Sequence, residues 1–413
     1  MRISSLLCAI TVVCLGATSV AATEEDANQV VHGLIDLRAL QTDDQSNWFD
    51  LGLGKTRYGG KRGDGARRTV ALGEASLILR PHTDWGLSGH LHLRHESEQK
   101  SPVDVIEGFA TFSPVSTTPW RFSLKVGAFF PPVSLENTDV AWQSPYTITW
   151  SAMNSWVGED IRAAGAELSS RYRYDRGQLS FGGAVFLGGD SSGTILNDRG
   201  WAMHDRATGL FDRLPKPANS STFQPRGDIA PFKELDDSPG VYLFARGEDD
   251  AVGGEFLITA FDNLADESAS RRKRGAWRTR FVSGGVGYFL PFGVELISQV
   301  LIGETERRAP SGVRLDDSFA AAYLMFSGFV DADEEHRWSL RYDRFQVNDR
   351  IGAGVRRESG DAWTLAYSFR PDEHHRLSVE ILSVDSNRPA RQTTGVSADQ
   401  RDTTLQANYR FAF

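Results

Sequence analysis

The last ten residues, TLQANYRFAF (404–413), alternate apolar and polar side chains along their whole length. Successive side chains of a β-strand point to opposite faces of a sheet, so this alternation predicts a strand with one apolar and one polar face. Four further stretches share the period: WGLSGHLHLR (85–94), WRFSLKVGAF (120–129), GQLSFGGAVFL (177–187) and RWSLRYD (337–343). Forty glycines, ten tryptophans, ten tyrosines and 24 phenylalanines, against four methionines, also suit a β-protein.

The connectors between the predicted strands alternate between short and long. The short turns are 81–84, 114–118, 175–177, 248–250, 291–293, 331–335 and 371–374. The gaps between them are mostly much longer, and the largest are 41–66, 130–160 and 188–239. Short turns on one side and long loops on the other are typical of a transmembrane β-barrel, whereas a soluble Greek-key sandwich has no reason to keep this rhythm. We therefore predict an all-β fold, a transmembrane antiparallel barrel.

The predicted barrel has about sixteen strands. An even number lets the first and last strands pair antiparallel and leaves no sheet edge. The stretch WFDLGLGKTRYG (48–59) also has the composition of a strand, although we assign it to a long first loop. Eighteen strands are therefore the alternative.

Residues 1–22 have the composition of a secretory signal peptide. Met1 and Arg2 are followed by an uncharged, apolar run over 3–20, with small residues at the expected cleavage point. A membrane anchor is the alternative, but the run is short for a helical span. Both cysteines of the chain, Cys8 and Cys14, lie inside this segment. The exported remainder, 23–413, is therefore predicted to be a barrel without disulfides.

The barrel is predicted to lie in the bacterial outer membrane. Phe413 ends a strand with aromatic residues at alternate positions, which resembles the signal read by the barrel-assembly machinery, a predicted partner. The lipid bilayer and lipopolysaccharide are the other partners expected of such a barrel. The net charge of −9 argues against nucleic-acid binding, which needs clustered positive charge.

No motif for covalent chemistry or cofactor binding stands out. The GKT at 54–56 resembles the end of a phosphate-binding loop, but Phe49 stands where that motif needs glycine. His90 and His92 share a strand face while His95 points the other way, which argues against a metal site. No spacing selects a serine, histidine and carboxylate set for a lipid-cleaving enzyme. We expect no enzyme, no metal and no cofactor.

The segment 131–161, which we call the third loop, is too apolar for a loop surrounded by water. It contains Trp142, Tyr146, Trp150 and Trp156. Folding into the barrel and packing on its wall would bury these rings and narrow the lumen, which makes this segment a candidate constriction. The alternative is contact with a neighbouring subunit.

A set of basic side chains is predicted by alternation to face the lumen and line a pore. Its members are Arg38, Arg94, Arg121, Lys125, Arg278, Arg280, Arg337, Arg341 and Arg410. The acidic residues placed there are fewer: Asp36, Glu74, Glu295 and Asp343. The run RRKR (271–274) adds positive charge to the fifth loop, 262–275. Rings of arginine and lysine favour anion passage. Paired charges in a general pore and contacts with lipopolysaccharide phosphates are the alternatives.

The stretch GAFFPPVSLE (127–136) resembles the phosphate-selective porin O and P family, and 158–162 with Gly165 resembles that family's return into the next strand. The resemblance implies a sixteen-stranded trimeric porin whose third loop, which here includes Glu136, constricts the lumen. Selective members of that family carry a lysine cluster near the constriction. Lys125 is the only lysine placed close to the third loop here, so phosphate specificity is not implied.

We therefore predict an outer-membrane porin for passive diffusion of small hydrophilic solutes, with an anion preference. A homotrimer would form through lipid-facing small residues such as Ala71, Gly73 and Ala75. One alternative is a sugar-type porin that uses the third-loop aromatics. The other is a non-conducting structural or receptor barrel closed by the loop 188–239.

Overall fold

The computed structural model describes residues 29–60, 66–216, 229–271, 274–308, 311–352 and 354–413. The predicted signal peptide, 1–22, lies outside the described residues, as do Arg272 and Lys273 of the basic fifth-loop run.

Sixteen strands form a closed antiparallel barrel. They are β1 (Val31–Thr42), β2 (Arg67–Leu79), β3 (Leu87–His95), β4 (Asp104–Phe112), β5 (Trp120–Phe129), β6 (Ala163–Tyr174), β7 (Gly177–Leu187), β8 (Gly240–Asp249), β9 (Gly254–Asp262), β12 (Arg278–Leu290), β13 (Val294–Arg308), β14 (Arg314–Phe329), β15 (His336–Asp349), β16 (Glu358–Phe369), β17 (His375–Asn387) and β18 (Asp399–Ala412). Each strand pairs with its neighbours along the chain, and β1 pairs with β18. A separate hairpin, β10 (Ser270–Arg271) and β11 (Arg274–Gly275), lies in the fifth loop. The sixteen-strand prediction is confirmed, and 48–59 is part of the first loop.

The C-terminal residue closes the barrel. Phe413 and Gly33 exchange backbone hydrogen bonds, with N···O distances of 2.7 and 3.1 Å. The Phe413 ring packs directly over Gly33, and a Cβ atom at that position would lie 2.2 Å from the end of the ring, so a larger residue would displace it. The stretch that first indicated a β-fold therefore also seals the seam between the first and last strands.

The outer surface of the barrel carries a broad apolar band. Its exposed side chains include Phe122, Leu124, Val126, Leu168, Leu243, Ile258, Val282, Ile302, Leu324, Leu365 and Ile381. Such an area is costly in water and is stabilised by hydrocarbon, as expected of a barrel embedded in a bilayer. Within the described ranges, no helix is long and apolar enough to cross a membrane.

A bulge in β2 separates the small residues that were expected to share its lipid face. Ala71 lies opposite Arg38 and faces the lumen, whereas Ala75 lies opposite Ile35 and faces outward. Gly73 occupies the irregularity between them, where a Cβ atom would approach the Arg38 Nε to 2.5 Å. The predicted single lipid-facing stripe of Ala71, Gly73 and Ala75 is therefore wrong, because one extra residue reverses the alternation.

Much of the first, third and fourth loops folds into the barrel. The first loop is 43–66 and the fourth loop is 188–239. The third loop contains helix α1 (Ala152–Asp160), which is buried on every side, and the fourth contains the short helix α2 (Gly193–Asp198). The core of the protein is therefore formed between these loops and the inner faces of the strands.

Candidate functional site

Glu136 anchors the third loop inside the barrel. Its carboxylate accepts hydrogen bonds from the Ser151 backbone N–H at 3.0 Å and from Arg341 on β15 at 2.6 Å. Asp343, also on β15, accepts from the backbone N–H of Ala152, at the start of α1. All five residues are buried. The wall of the barrel therefore fixes both the entry of the loop and the start of its helix.

One side of the lumen is lined by aromatic rings. Phe186, Phe261, Phe281 and Phe319 project inward from β7, β9, β12 and β14, and we call them the apolar wall. The Phe261 and Phe281 rings stack with centroids 4.8 Å apart. Trp156 of α1 packs against this wall, 5.6 Å from Phe281 and 5.2 Å from Phe319. The third loop is held there by apolar burial.

The opposite side is lined by buried charges. Asp36 and Arg38 on β1, Glu74 on β2, Arg94 on β3 and Arg410 on β18 form what we call the charged wall. Asp36 accepts from Arg38 at 2.8 Å and from Arg410 at 2.6 Å, and Glu74 pairs with Arg94 at 2.9 Å. Buried charges are tolerated only when such partners compensate them.

The fourth loop contacts both walls. Asp205 accepts from Arg38 at 3.0 Å and from Arg57 of the first loop at 3.1 Å. Trp201 lies 5.9 Å from Trp156 between ring centroids. The residues of this loop from 190 to 208 are all buried. We expected such an inward position only under the closed-barrel alternative. The apolar pairs at 195–196 and 201–202 could have indicated this position, because an apolar loop segment is expected to pack inside the barrel.

Two buried clusters of charged and polar side chains join the inward loops, and the first of them links the third loop to the fourth. Glu159 of α1 pairs with Arg199 at 2.7 Å and with His204 at 3.2 Å. Burial would raise the pKa of Glu159, but these two partners outweigh burial and hold its pKa below the usual value. Burial lowers the pKa of His204, against the opposing effect of Glu159.

Lys55 of the first loop is fully buried beneath the fourth loop. Its ammonium donates to the carbonyl oxygens of Arg199 at 3.1 Å and Trp201 at 2.8 Å, and it pairs with Glu358 on β16. Burial lowers the pKa of Lys55 to about 7, although the Glu358 carboxylate acts to raise it. A residue that first resembled part of a phosphate-binding motif therefore joins two loops to the barrel.

Most of the basic residues predicted to line the pore do face inward. These are Arg38, Arg94, Arg121, Lys125, Arg337, Arg341 and Arg410. The inward basic residues that do not belong to the charged wall also pair with carboxylates wherever their side chains are buried or half-buried. Lys125 pairs with Glu167 at 3.1 Å, and Arg337 lies 3.7 Å from Glu295. The positive charge expected of the lumen is therefore largely compensated in place.

Arg278 and Arg280 face outward, so the prediction that they line the lumen is wrong. On β12 the buried inward positions include Phe281, whereas Arg280 is exposed on the same face as Val282. Arg280 pairs with Glu304 of β13, which lies directly opposite it. The alternation was assigned in the wrong sense because Phe281 packs on Trp156 of the third loop, whereas Val282, the next apolar residue, faces outward.

The aromatic residues of the third loop all lie within the barrel. Trp142 is half-buried and stacks on Phe130 with centroids 4.1 Å apart, while Trp150 is fully buried at right angles to Trp142. The Tyr146 hydroxyl donates to Glu295 at 2.8 Å. Their function as a constriction stays a prediction. His90, His92 and His95, in turn, do not converge on a metal site within the described part of the chain.

A pair of arginines faces the lumen at the end of the barrel that carries the short turns. Arg121 on β5 lies directly opposite Arg171 on β6. Arg121 is exposed and Arg171 is half-buried, and among the described residues neither has a carboxylate partner. Arg171 escaped prediction because the alternation of β6 is lost at Ser169 and Ser170, where two small polar residues are adjacent. Short turns mark the periplasmic side of such barrels, so this pair lies at the periplasmic mouth.

Solved structures of outer-membrane porins share this fold. The outer membrane channel DcaP of Acinetobacter baumannii matches with a TM-score of 0.57 at 11% identity, covering 93% of this chain and 96% of that one. OmpF of Salmonella typhi, in complex with daunomycin, matches with a TM-score of 0.55 at 12% identity, covering 93% and 97%. The anion-selective porin from Comamonas acidovorans matches with a TM-score of 0.50 at 12% identity, covering 93% and 98%.

Sequence comparison gives no narrower assignment. No protein-family model matches the chain, and no curated protein matches its sequence. The resemblance to the phosphate-selective family therefore has support only at the level of porins in general. The closed sixteen-strand barrel, its apolar outer band and these neighbours agree with the predicted outer-membrane location. The chain has the fold of the bacterial outer-membrane porins.

Proposed function

We propose that the protein is an outer-membrane porin for passive diffusion of small hydrophilic solutes, with a preference for anions set at its periplasmic mouth. The proposal needs no cofactor and no covalent chemistry. The observation that carries it is the uncompensated pair of Arg121 and Arg171 on the inner face. Like charges directly opposite each other destabilise a sheet, and an anion between them would relieve the repulsion.

The other inward arginines support selectivity less. The charged wall is buried and each of its arginines is bonded to a carboxylate, so its field at a passing ion is small. We therefore base the anion preference on Arg121 and Arg171 alone. Solute specificity would come from the width left by the third and fourth loops.

Reversal potentials in planar bilayers under a potassium chloride gradient test the proposal. Wild-type protein should give the sign expected for chloride passage, and Arg121→Gln combined with Arg171→Gln should reduce that preference. The matched control is Arg278→Gln combined with Arg280→Gln, which removes the same charge from the outer face and should leave the reversal potential unchanged. Cation preference in the wild type, or an equal effect of both double variants, would contradict the proposal.

A second candidate, a barrel closed by the fourth loop, is favoured by the burial of 190–208 within the lumen. Replacing residues 191–232 by a short glycine-serine linker and measuring conductance distinguishes the two candidate functions. A porin conducts with its fourth loop intact. A closed barrel is silent in the wild type and conducts only in the linker variant.

The sugar-type porin has less support. Trp150 and Trp156 are fully buried against other rings, so their faces are used in packing. Block of the current by oligosaccharides but not by inorganic anions would favour it nonetheless. We extend the proposal to a homotrimer, which light scattering of the detergent-purified protein would detect as three chains per particle.

A further inference from the structure

Three carboxylates converge where the fourth loop leaves and rejoins the barrel. Asp190 follows β7 at the start of the loop, and Glu234 and Asp236 precede β8 at its end. One oxygen of each lies within 4.8 Å of the others. Asp190 is fully buried, and Glu234 and Asp236 are half-buried. Among the described residues, no lysine or arginine is ion-paired with any of the three.

Backbone N–H groups hold these carboxylates in place. The Asp190 Oδ2 accepts from Leu235 at 2.6 Å, and the Glu234 Oε2 accepts from Gly188 at 2.7 Å. The Asp236 Oδ1 accepts from the backbone N–H of Ser238 at 2.8 Å. The two ends of the loop therefore fix one another's acidic side chains, so the three groups are oriented before anything binds.

A second observation favours a cation as the ligand of these three carboxylates. The Asp190 Oδ1 is buried and accepts no hydrogen bond from an N–H or hydroxyl group of the described residues, and the Glu234 and Asp236 carboxylates lie close to Asp190. By contrast, both oxygens of Asp36 in the charged wall accept from arginine. An uncompensated buried carboxylate oxygen is costly, and a bound cation would remove that cost.

We infer that Asp190, Glu234 and Asp236 form a calcium site that clamps the two ends of the fourth loop. Oxygen-only ligands favour a hard divalent cation over zinc or copper, which prefer histidine and cysteine. Water and backbone carbonyl groups would complete the coordination shell, for which calcium accepts flexible geometry. Asp236 also accepts from the backbone N–H of Asp266, so the site extends to the fifth loop. The inference does not depend on whether the barrel conducts.

Terbium luminescence tests the site directly. Purified protein in detergent, freed of metal by a chelator, is titrated with terbium chloride while tryptophan is excited. Trp277 lies beside the site, because its backbone N–H donates to the Asp190 carbonyl oxygen at 2.7 Å. Calcium chloride should displace the terbium with an affinity of about 10⁻⁴ to 10⁻³ M, the range of extracellular calcium modules. Calcium should also raise the midpoint of thermal unfolding.

Asp190→Asn and Glu234→Gln should each weaken calcium binding by at least roughly tenfold, because affinity depends on the number of ligand charges. The matched control is Asp237→Asn, which removes a neighbouring exposed carboxylate outside the cluster and should bind as the wild type does. Retention of heat-modifiable mobility on gels identifies folded variants. If Asp190→Asn does not fold, Glu234→Gln and Asp236→Asn decide the matter. Absence of sensitised terbium emission in the wild type, or equal calcium binding in all variants, would overturn the inference.

Discussion

The charged wall and the apolar wall hold the same inward loops by different physical means. Arg38 and Asp36 fix the fourth loop through Asp205, with hydrogen bonds of defined direction. Phe281 and Phe319 hold α1 through Trp156, by non-directional burial of rings. Directional contacts specify where a loop lies, whereas apolar contacts supply most of the free energy that keeps it there. The two walls should therefore respond differently to substitution.

Removing one partner from the charged wall should have the largest effect. Arg38→Leu removes the guanidinium that Asp36 and Asp205 share and leaves each of these buried carboxylates with a single arginine, Arg410 for Asp36 and Arg57 for Asp205. We expect a loss of about 3–5 kcal/mol in the free energy of unfolding. Denaturant titration in detergent measures it. A loss below about 1 kcal/mol would mean that the wall is hydrated and that the buried pairing described here is wrong.

The free energy of unfolding should also depend on pH through Lys55, which pairs with Glu358 and lies outside the membrane-spanning strands. Its pKa is lowered to about 7 in the folded protein from an ordinary value of 10.5. Above pH 7 the unfolded chain therefore binds more protons than the folded one, and stability rises with pH until the ordinary pKa is passed. Between about pH 7 and about pH 9 we expect a gain of roughly 2 kcal/mol from this group.

Lys55→Met provides the matched comparison, because it removes the titrating group and keeps an unbranched side chain. Unfolding free energies of both proteins are measured across that pH range. The difference between wild type and variant should grow in favour of the wild type as pH rises. Parallel pH profiles would show that Lys55 stays protonated throughout.

The buried apolar residues on the strands of the apolar wall should tolerate substitutions that conserve side-chain volume. Met325 is buried on the inner face of β14, the strand that also carries Phe319. Met325→Leu should cost less than about 1.5 kcal/mol, since no directional bond is lost and the volume barely changes. The measurement is the same denaturant titration. A cost equal to that of Arg38→Leu would remove the distinction between the two walls.

The sequence was sufficient for the barrel but not for what fills it. Strand alternation and turn lengths predicted the sixteen strands, and the aromatic third loop was correctly placed within the barrel. The bonds of the charged wall join residues far apart, such as Arg38 and Asp205, which are 167 positions apart, and no local pattern indicates such a partner. Alternation also does not tell which face is inward. A segment such as β12 shows the same period whether lipid or a packed loop covers its apolar side.

Substitution of Arg280 should have the smallest effect on the free energy of unfolding, and it tests directly which face of β12 is inward. Arg280 has the same side chain as Arg38 and also pairs with a carboxylate, Glu304, but it lies on the outer face with its side chain 44% exposed. Arg280 and Glu304 lie near the ends of β12 and β13 opposite the short turns, beyond the apolar band, so water screens the pair and Arg280→Leu should cost below about 1 kcal/mol. Denaturant titration alongside Arg38→Leu compares one substitution on two faces. If the two losses were equal, Arg280 would be enclosed as Arg38 is, and the original inward assignment of β12 would regain its support.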